Sequence, residues 1–359
     1  MDVNLSMTTI TSLSEFFQSS GFQFRVFDMG RHIRTIAAED FLAIEQAEQA
    51  YPYPMQRQAW IGLLGWPEDD TKKHFVWFLR LPLDETGQLS YVVRDDLLRR
   101  LVKMAEQGLN GNDDLALQTS MDDNPFGYKP TDERMAIFHA KARKLLGLTP
   151  SKYYQHAHDY FAGQLDIDQW SFVGLQGIAD VAARLDEDEN ALNLADIIDT
   201  LPDIPFEVLC QCLENEALDM NLSQAIARRA THELAKQEPH AGQIALCLRA
   251  LSMSQSPGMR RNMLEHILTS KVATDIQILV GISGRCWEDL EDELILHDFL
   301  SALACNPEGQ DLFNKVLADL FTLPGMRVNI MTALRNPQRT DQLSAALGQF
   351  FASIRQSGI

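Results

Sequence analysis

The chain has 359 residues, with 45% hydrophobic and 23% charged side chains, so it is long enough for two packed cores and too apolar for global disorder. Its 31 Lys and Arg stand against 50 Asp and Glu, a formal net charge of −19. That excludes a uniformly attractive surface for phosphate backbones or anionic lipid, and leaves nucleic acid only a local basic patch.

The imbalance is uneven. Residues 1–150 hold 16 basic and 21 acidic side chains, whereas residues 151–359 hold 15 and 29. The C-terminal part favours basic partners or plain solubility. MDVNLSMTTITSL has no basic stretch followed by an apolar one, and no apolar run approaches the ~18 residues of a membrane span. The five cysteines, Cys210, Cys212, Cys247, Cys286 and Cys305, are odd in number and sit in apolar helical surroundings. They read as buried reduced thiols in a cytoplasmic protein.

In chain order, Ser12 or Ser14 caps a short helix bearing Leu13, Phe16 and Phe17. FQFRVFDMGRHIRTIA then alternates in a hairpin that turns at Met29 and Gly30. AEDFLAIEQAEQA forms a helix with Glu39 and Asp40 in its first turn, where the helix dipole favours them. Three strands follow, QAWIGLLGW, HFVWFLRL and QLSYVV, separated by PEDDTKK and PLDETG. A helix begins near Asp95 or Asp96, with Leu97, Leu98, Leu101, Val102 and Met104 as its apolar stripe.

The N-terminal domain, residues 1–107, is therefore α+β, an antiparallel sheet with helices. The order helix, two strands, helix, three strands, helix resembles the roadblock and profilin-like sheets, small domains that often dimerise or act as adaptors. That resemblance implies dimerisation through the N-terminal domain.

Residues 108–130 concentrate Gly, Asn, Asp and Pro and read as a linker. From Thr131 to residue 359 the sequence predicts an all-α domain of amphipathic segments, a HEAT-like, irregular α-solenoid. TLPDIPFEVLCQCLEN at 200–215 parallels TLPGMRVNIMTALRN at 322–336, and PGMRRN at 257–262 parallels PGMRVN at 324–329.

Few residues suggest chemistry. SKYYQHAHDYF clusters His156, His158, Asp159 and three tyrosines, but two residues apart on a helix point about 200° from each other, so the two histidines cannot readily share a metal. Cys210 and Cys212 are one residue apart, where redox and zinc motifs use two, and Cys210 shares a helix side with Phe206 and Leu213. No phosphate-cradling loop, nucleophile elbow or zinc helix is present in the sequence. No cofactor is expected.

Two charged groups are candidates for partner binding. In CWEDLEDELILHDFL, Trp287, Leu290 and Leu294 predict an inward stripe, leaving Glu288, Asp289, Glu291 and Asp292 as an acidic ridge for a basic segment. The two PGMR copies place Arg260 and Arg327 at matching repeat positions and, with Arg261, form a small anionic-ligand or partner edge. Solvation and helix capping are the simpler readings of both.

The adjacent carboxylates of FVWFLRLPLDETGQL read as a turn. Pro82 ends the ladder, and Asp84, Glu85, Thr86 and Gly87 supply turn chemistry. Leu83-Asp84-Glu85, the total length and the helical C-terminal half resemble an uncharacterised gammaproteobacterial family recognised by a short Leu-Asp-Glu motif, over nearly the whole chain. The resemblance implies a bacterial, cytoplasmic protein and brings no activity or catalytic residue.

The sequence thus favours a non-enzymatic interaction or adaptor protein with an unknown, basic protein partner. One alternative is a hydrolase or other enzyme with an interdomain cleft using Asp84, Glu85 and the His156 region. Another is nucleic-acid binding through Lys141, Arg143, Lys144 and Lys152.

Overall fold

The computed structural model describes residues 11–108, 124–337 and 339–356. The chain divides into two compact units, Met1–Pro130 and Thr131–Ile359.

The first unit runs α1 (Leu13–Ser19), β1 (Phe22–Asp28), β2 (Arg34–Ile36), α2 (Ala38–Glu45), β3 (Gln58–Pro67), β4 (Phe75–Pro82) and α3 (Tyr91–Gly108). The strands form one antiparallel sheet in the order β2-β1-β3-β4. Alternation decides which side chains are buried together: Phe24 and Val26 of β1, Ile61 and Leu63 of β3, and Trp77 and Leu79 of β4 join Phe17, Phe41, Ile44 and Leu97 in one core. Ser12 caps α1 by accepting from the Glu15 amide, and the buried Glu45 carboxylate accepts from the amides of Leu13 and Ser14. The C-terminus of α2 thereby holds the N-terminus of α1.

QLSYVV is not a strand. Leu89 makes a single bridge to Leu83, and the helix is already under way at Tyr91, with the Arg94 amide donating to the Ser90 carbonyl. The alternation of Leu89, Tyr91 and Val93 imitates a strand for five residues, but buried Leu97 and Leu98 extend a helical stripe through it. The element order behind the roadblock and profilin-like likeness is therefore helix, two strands, helix, two strands, helix. The last part of the expected linker belongs to the sheet. The Arg80 amide donates to the Phe126 carbonyl and the Tyr128 amide to the Phe78 carbonyl, so residues 126–128 run along the β4 edge. Residues 109–123 lie outside the described residues.

Gly65 is fixed by a close approach. It pairs with Phe75, and a Cβ there would lie 2.3 Å from the Phe75 ring. That ring is wedged against Trp77 at 4.7 Å and Phe22 at 5.8 Å between centroids, so it has little room to move. Gly65→Ala is expected to destabilise the chain by ~1–3 kcal/mol through overpacking. A denaturation midpoint equal to that of the parent protein would show that the aromatic cluster can give way.

The second unit is helical among its described residues. It contains α4 (Asp132–Leu145), α5 (Tyr154–Phe161), α6 (Leu175–Ala182), α7 (Asn190–Ile197), α8 (Asp203–Leu213), α9 (Met220–Leu234) and α10 (Ala241–Ala250). It continues through α11 (Pro257–Leu268), α12 (Ile276–Arg285), α13 (Glu293–Ala304), α14 (Gln310–Leu320), α15 (Met326–Ala333) and α16 (Asp341–Gln356). Thr131, Asp219, Asp275 and Asp292 start four of these helices with side-chain caps.

Each helix packs on the next but one. Helices α4, α6, α8, α10, α12, α14 and α16 are in successive contact, as are α5, α7, α9, α11, α13 and α15, with further contacts between the two rows. Leu209, Leu213, Ile226, Leu248, Ile282, Phe299 and Leu317 are buried within this packing.

Buried charges tie the helices together. Glu214, at the C-terminus of α8, accepts from Arg249 Nε of α10 at 2.7 Å and from Arg285 Nε of α12 at 2.8 Å. A carboxylate at a helix C-terminus opposes the dipole, and the two guanidiniums offset that cost. Lys141 of α4 pairs with Glu216 at 2.9 Å. Arg229 of α9 donates to the Leu201 carbonyl at 3.1 Å and lies 3.6 Å above the Phe206 ring.

Candidate functional site

The Leu83-Asp84-Glu85 segment closes a turn. The Asp84 amide donates to the Gln88 carbonyl, and the Gly87 amide, at φ +80, donates to the Asp84 carbonyl. Asp84 Oδ1 accepts from the Thr86 amide at 2.8 Å, the Thr86 hydroxyl at 2.7 Å and the Gln88 amide at 2.9 Å. The Gln88 and Thr86 hydrogen bonds hold the carboxyl below the usual aspartate range. Asp84 and Glu85 are both exposed, and only Asp84 organises the turn.

Two neighbouring loops in left-handed backbone are fastened to this segment. Arg57, at φ 59, accepts the Leu83 amide through its carbonyl, and Ala47, at φ 55, accepts from the Gln88 side chain. Asp84→Ala is expected to cost about 1 kcal/mol, and Glu85→Ala less than about 0.5 kcal/mol. Because the Asp84 carboxyl is depressed, its contribution is complete above about pH 4 and fades as the pH falls through its folded value. Chemical denaturation of the two variants at pH 7 separates the roles; equal losses would contradict this assignment.

The candidates of the second unit are redistributed by two helix starts. The segment Trp287–Glu291 is a short 3-10 turn, and Asp292 begins α13 by capping the amides of Leu294 and Ile295. This break changes the helical phase. Trp287 and Leu290 are buried as expected, but Leu294 is 76% exposed, and Asp289 turns inward to 1% exposure.

Asp289 is therefore not part of a solvated ridge. It takes both Arg260 Nε and Nη2 in a bidentate pair, and Arg261 Nε lies 3.5 Å from it. Arg260 also donates to the Ser252 carbonyl at 3.0 Å. Glu288 and Glu291 remain exposed.

Nor are the two PGMR copies equivalent. Pro257 is the first residue of α11, whereas Pro324 precedes α15 by two residues, with Gly325 at φ 78 as its cap. Arg260 is thus the fourth helical residue and buried, while Arg327 is the second and exposed. A two-residue offset rotates a side chain by about 200° around a helix.

Other candidates resolve into packing. Cys210, Cys212, Cys247 and Cys286 are buried, and burial pushes the Cys247 thiol up to about 12 and the other three upward as well. Cys305 is exposed, contrary to the expectation for all five, because α13 ends at Ala304. His158 Nδ1 lies 3.0 Å from Asn190 Oδ1, and His156 is exposed on the same helix. Among the described residues, no group of three or more His, Cys, Asp or Glu side chains could hold a metal ion.

The proposed basic face is partly neutralised, since Lys141 pairs with Glu216 and Lys144 with Asp186. No helix among the described residues is long and apolar enough to cross a membrane.

The missed residues are Glu214, Arg249 and Arg285. They are 35 and 36 residues apart, and only the stacking of α8, α10 and α12 brings them together.

Fold and sites define a protein with a small antiparallel α+β unit followed by a helical unit laced by buried ion pairs. The chain belongs to the family described as Protein of unknown function (DUF3549), whose family model matches residues 8–351. No curated protein and no solved structure matches it.

Proposed function

We propose that this is a non-enzymatic protein-interaction protein whose second unit is an irregular, HEAT-like α-solenoid that engages a basic partner. The observation that carries this reading is the packing of every second helix in two rows. Helices stacked in this way offer long, continuous binding surfaces. The acid excess after residue 150 favours a cationic partner. The resemblance to a bacterial family and the four buried thiols support a bacterial, cytoplasmic setting.

The enzyme alternative loses support because the Asp84 carboxylate is committed to its own turn. The nucleic-acid alternative loses support from the pairing of Lys141 and Lys144. Affinity capture with the full chain from native extract, repeated with the tag on the captured protein, is expected to return one reproducible basic partner. A featureless monomer with no reciprocal partner would contradict the proposal.

A further inference from the structure

We propose that the N-terminal edge of α13, together with α15, is the docking surface, and that it takes a partner segment bearing an apolar side chain flanked by Lys or Arg. The inference rests on the interaction reading above and specifies its site. Leu294 is 76% exposed and Val328 is 68% exposed, in helices that contact each other. Trp287–Glu291, which leads into α13, also contacts α15, so the start of α13 lies beside α15. Met331, one turn after Val328, is exposed as well.

Leu294 faces water because Asp292 caps the helix there, and packing against the rest of the unit does not require an apolar side chain at that place. Such residues mark partner contacts when they cluster.

Charge selects the occupant. Residues 286–305 contain Glu288, Asp289, Glu291, Asp292, Glu293 and Asp298, and neither Lys nor Arg. Arg260 and Arg261 both pair with Asp289. Glu291 and Glu293 are exposed on either side of the Asp292 cap, next to Leu294. A second copy of the chain docked face to face would set these acids against themselves, since a two-fold interface pairs a surface with itself. Anionic lipid and nucleic acid are repelled for the same reason. A protein segment with an apolar anchor and flanking cations satisfies both features, and Arg327, exposed next to Val328 in α15, can meet a single acid on it.

The test uses two synthetic 18-residue amphipathic peptides with the same leucine stripe, one flanked by lysines and one by glutamates, titrated against the full chain by fluorescence anisotropy. The lysine peptide is expected to bind and the glutamate peptide not to bind. Glu291→Lys with Glu293→Lys should weaken binding by about tenfold or more, and Leu294→Ser by about fivefold. Glu187→Lys with Glu189→Lys, reversing the same number of charges in the distant LDEDEN loop, should change it less than about twofold. Retained folding of each variant is checked by its thermal midpoint. Equal sensitivity to both charge reversals, or sensitivity only at residues 187 and 189, would overturn the docking site while leaving a basic-partner function intact. Failure of the lysine peptide to bind at all would overturn both.

Discussion

Glu214→Ala is expected to lower the stability of the protein by ~3–5 kcal/mol, because it strands two guanidiniums whose common counterion is gone. For a helical unit of this size that corresponds to a fall in Tm of roughly 6–20 °C. The carboxylate is buried between α8, α10 and α12, within 2.8 Å of Arg249 Nε and Arg285 Nε. Burial pushes its pKa upward, but Arg285 and Arg249 outweigh that and hold it below the ordinary glutamate value. A depressed folded pKa means that the stabilisation is complete above the unfolded value, about 4.3, and is lost as the pH falls through the folded one. The gap between parent and variant should therefore be full at neutral pH and narrow below about pH 4. Denaturant midpoints measured at both pH values check this; a gap that is independent of pH would assign the loss to packing alone.

Asp289→Ala should be of comparable severity, ~3–5 kcal/mol, since Arg260 is left buried with its charge uncompensated. The informative variant is the double substitution Arg260→Met with Asp289→Leu, which removes both charges and keeps most of the volume. It leaves the Ser252 carbonyl without the Arg260 donor, a cost of about 1 kcal/mol. The double variant should therefore be more stable than Asp289→Ala alone, with a coupling energy of ~1–3 kcal/mol in a double-mutant cycle. Additive losses would mean that the pair does not act as a unit.

Local patterns were readable where one period ran uninterrupted. The alternation of Phe24 and Val26 announces a strand, and the helical succession after Thr131 follows from Pro, Gly and Asn breaks. Readings failed where a single residue reset the phase. Asp292 restarts a helix and carries Leu294 outward, and Gly325 shifts the second PGMR copy by two residues so that Arg327 does not match Arg260. QLSYVV failed because five residues of alternation are also the first turn of a helix.

The ionic contacts lay beyond reach for another reason. Arg260 and Asp289 are 29 residues apart and Glu214 and Arg285 are 71 apart, so nothing local pairs them. The sequence offered them as isolated surface charges, and burial made them partners. The part of Asp84 in its turn is within local reach, since the groups it accepts from lie two and four residues away, but the hairpin strand expected after the turn is instead the start of a helix.

The interaction reading is tested most directly by titrating the full chain with the partner recovered by reciprocal capture, by calorimetry at low and at high salt. A basic partner on an acidic surface predicts saturable binding whose affinity falls by about tenfold or more between 0.05 and 0.5 M salt, with a slower association rate. Binding that is indifferent to salt, or a recovered partner as acidic as this chain, would contradict it.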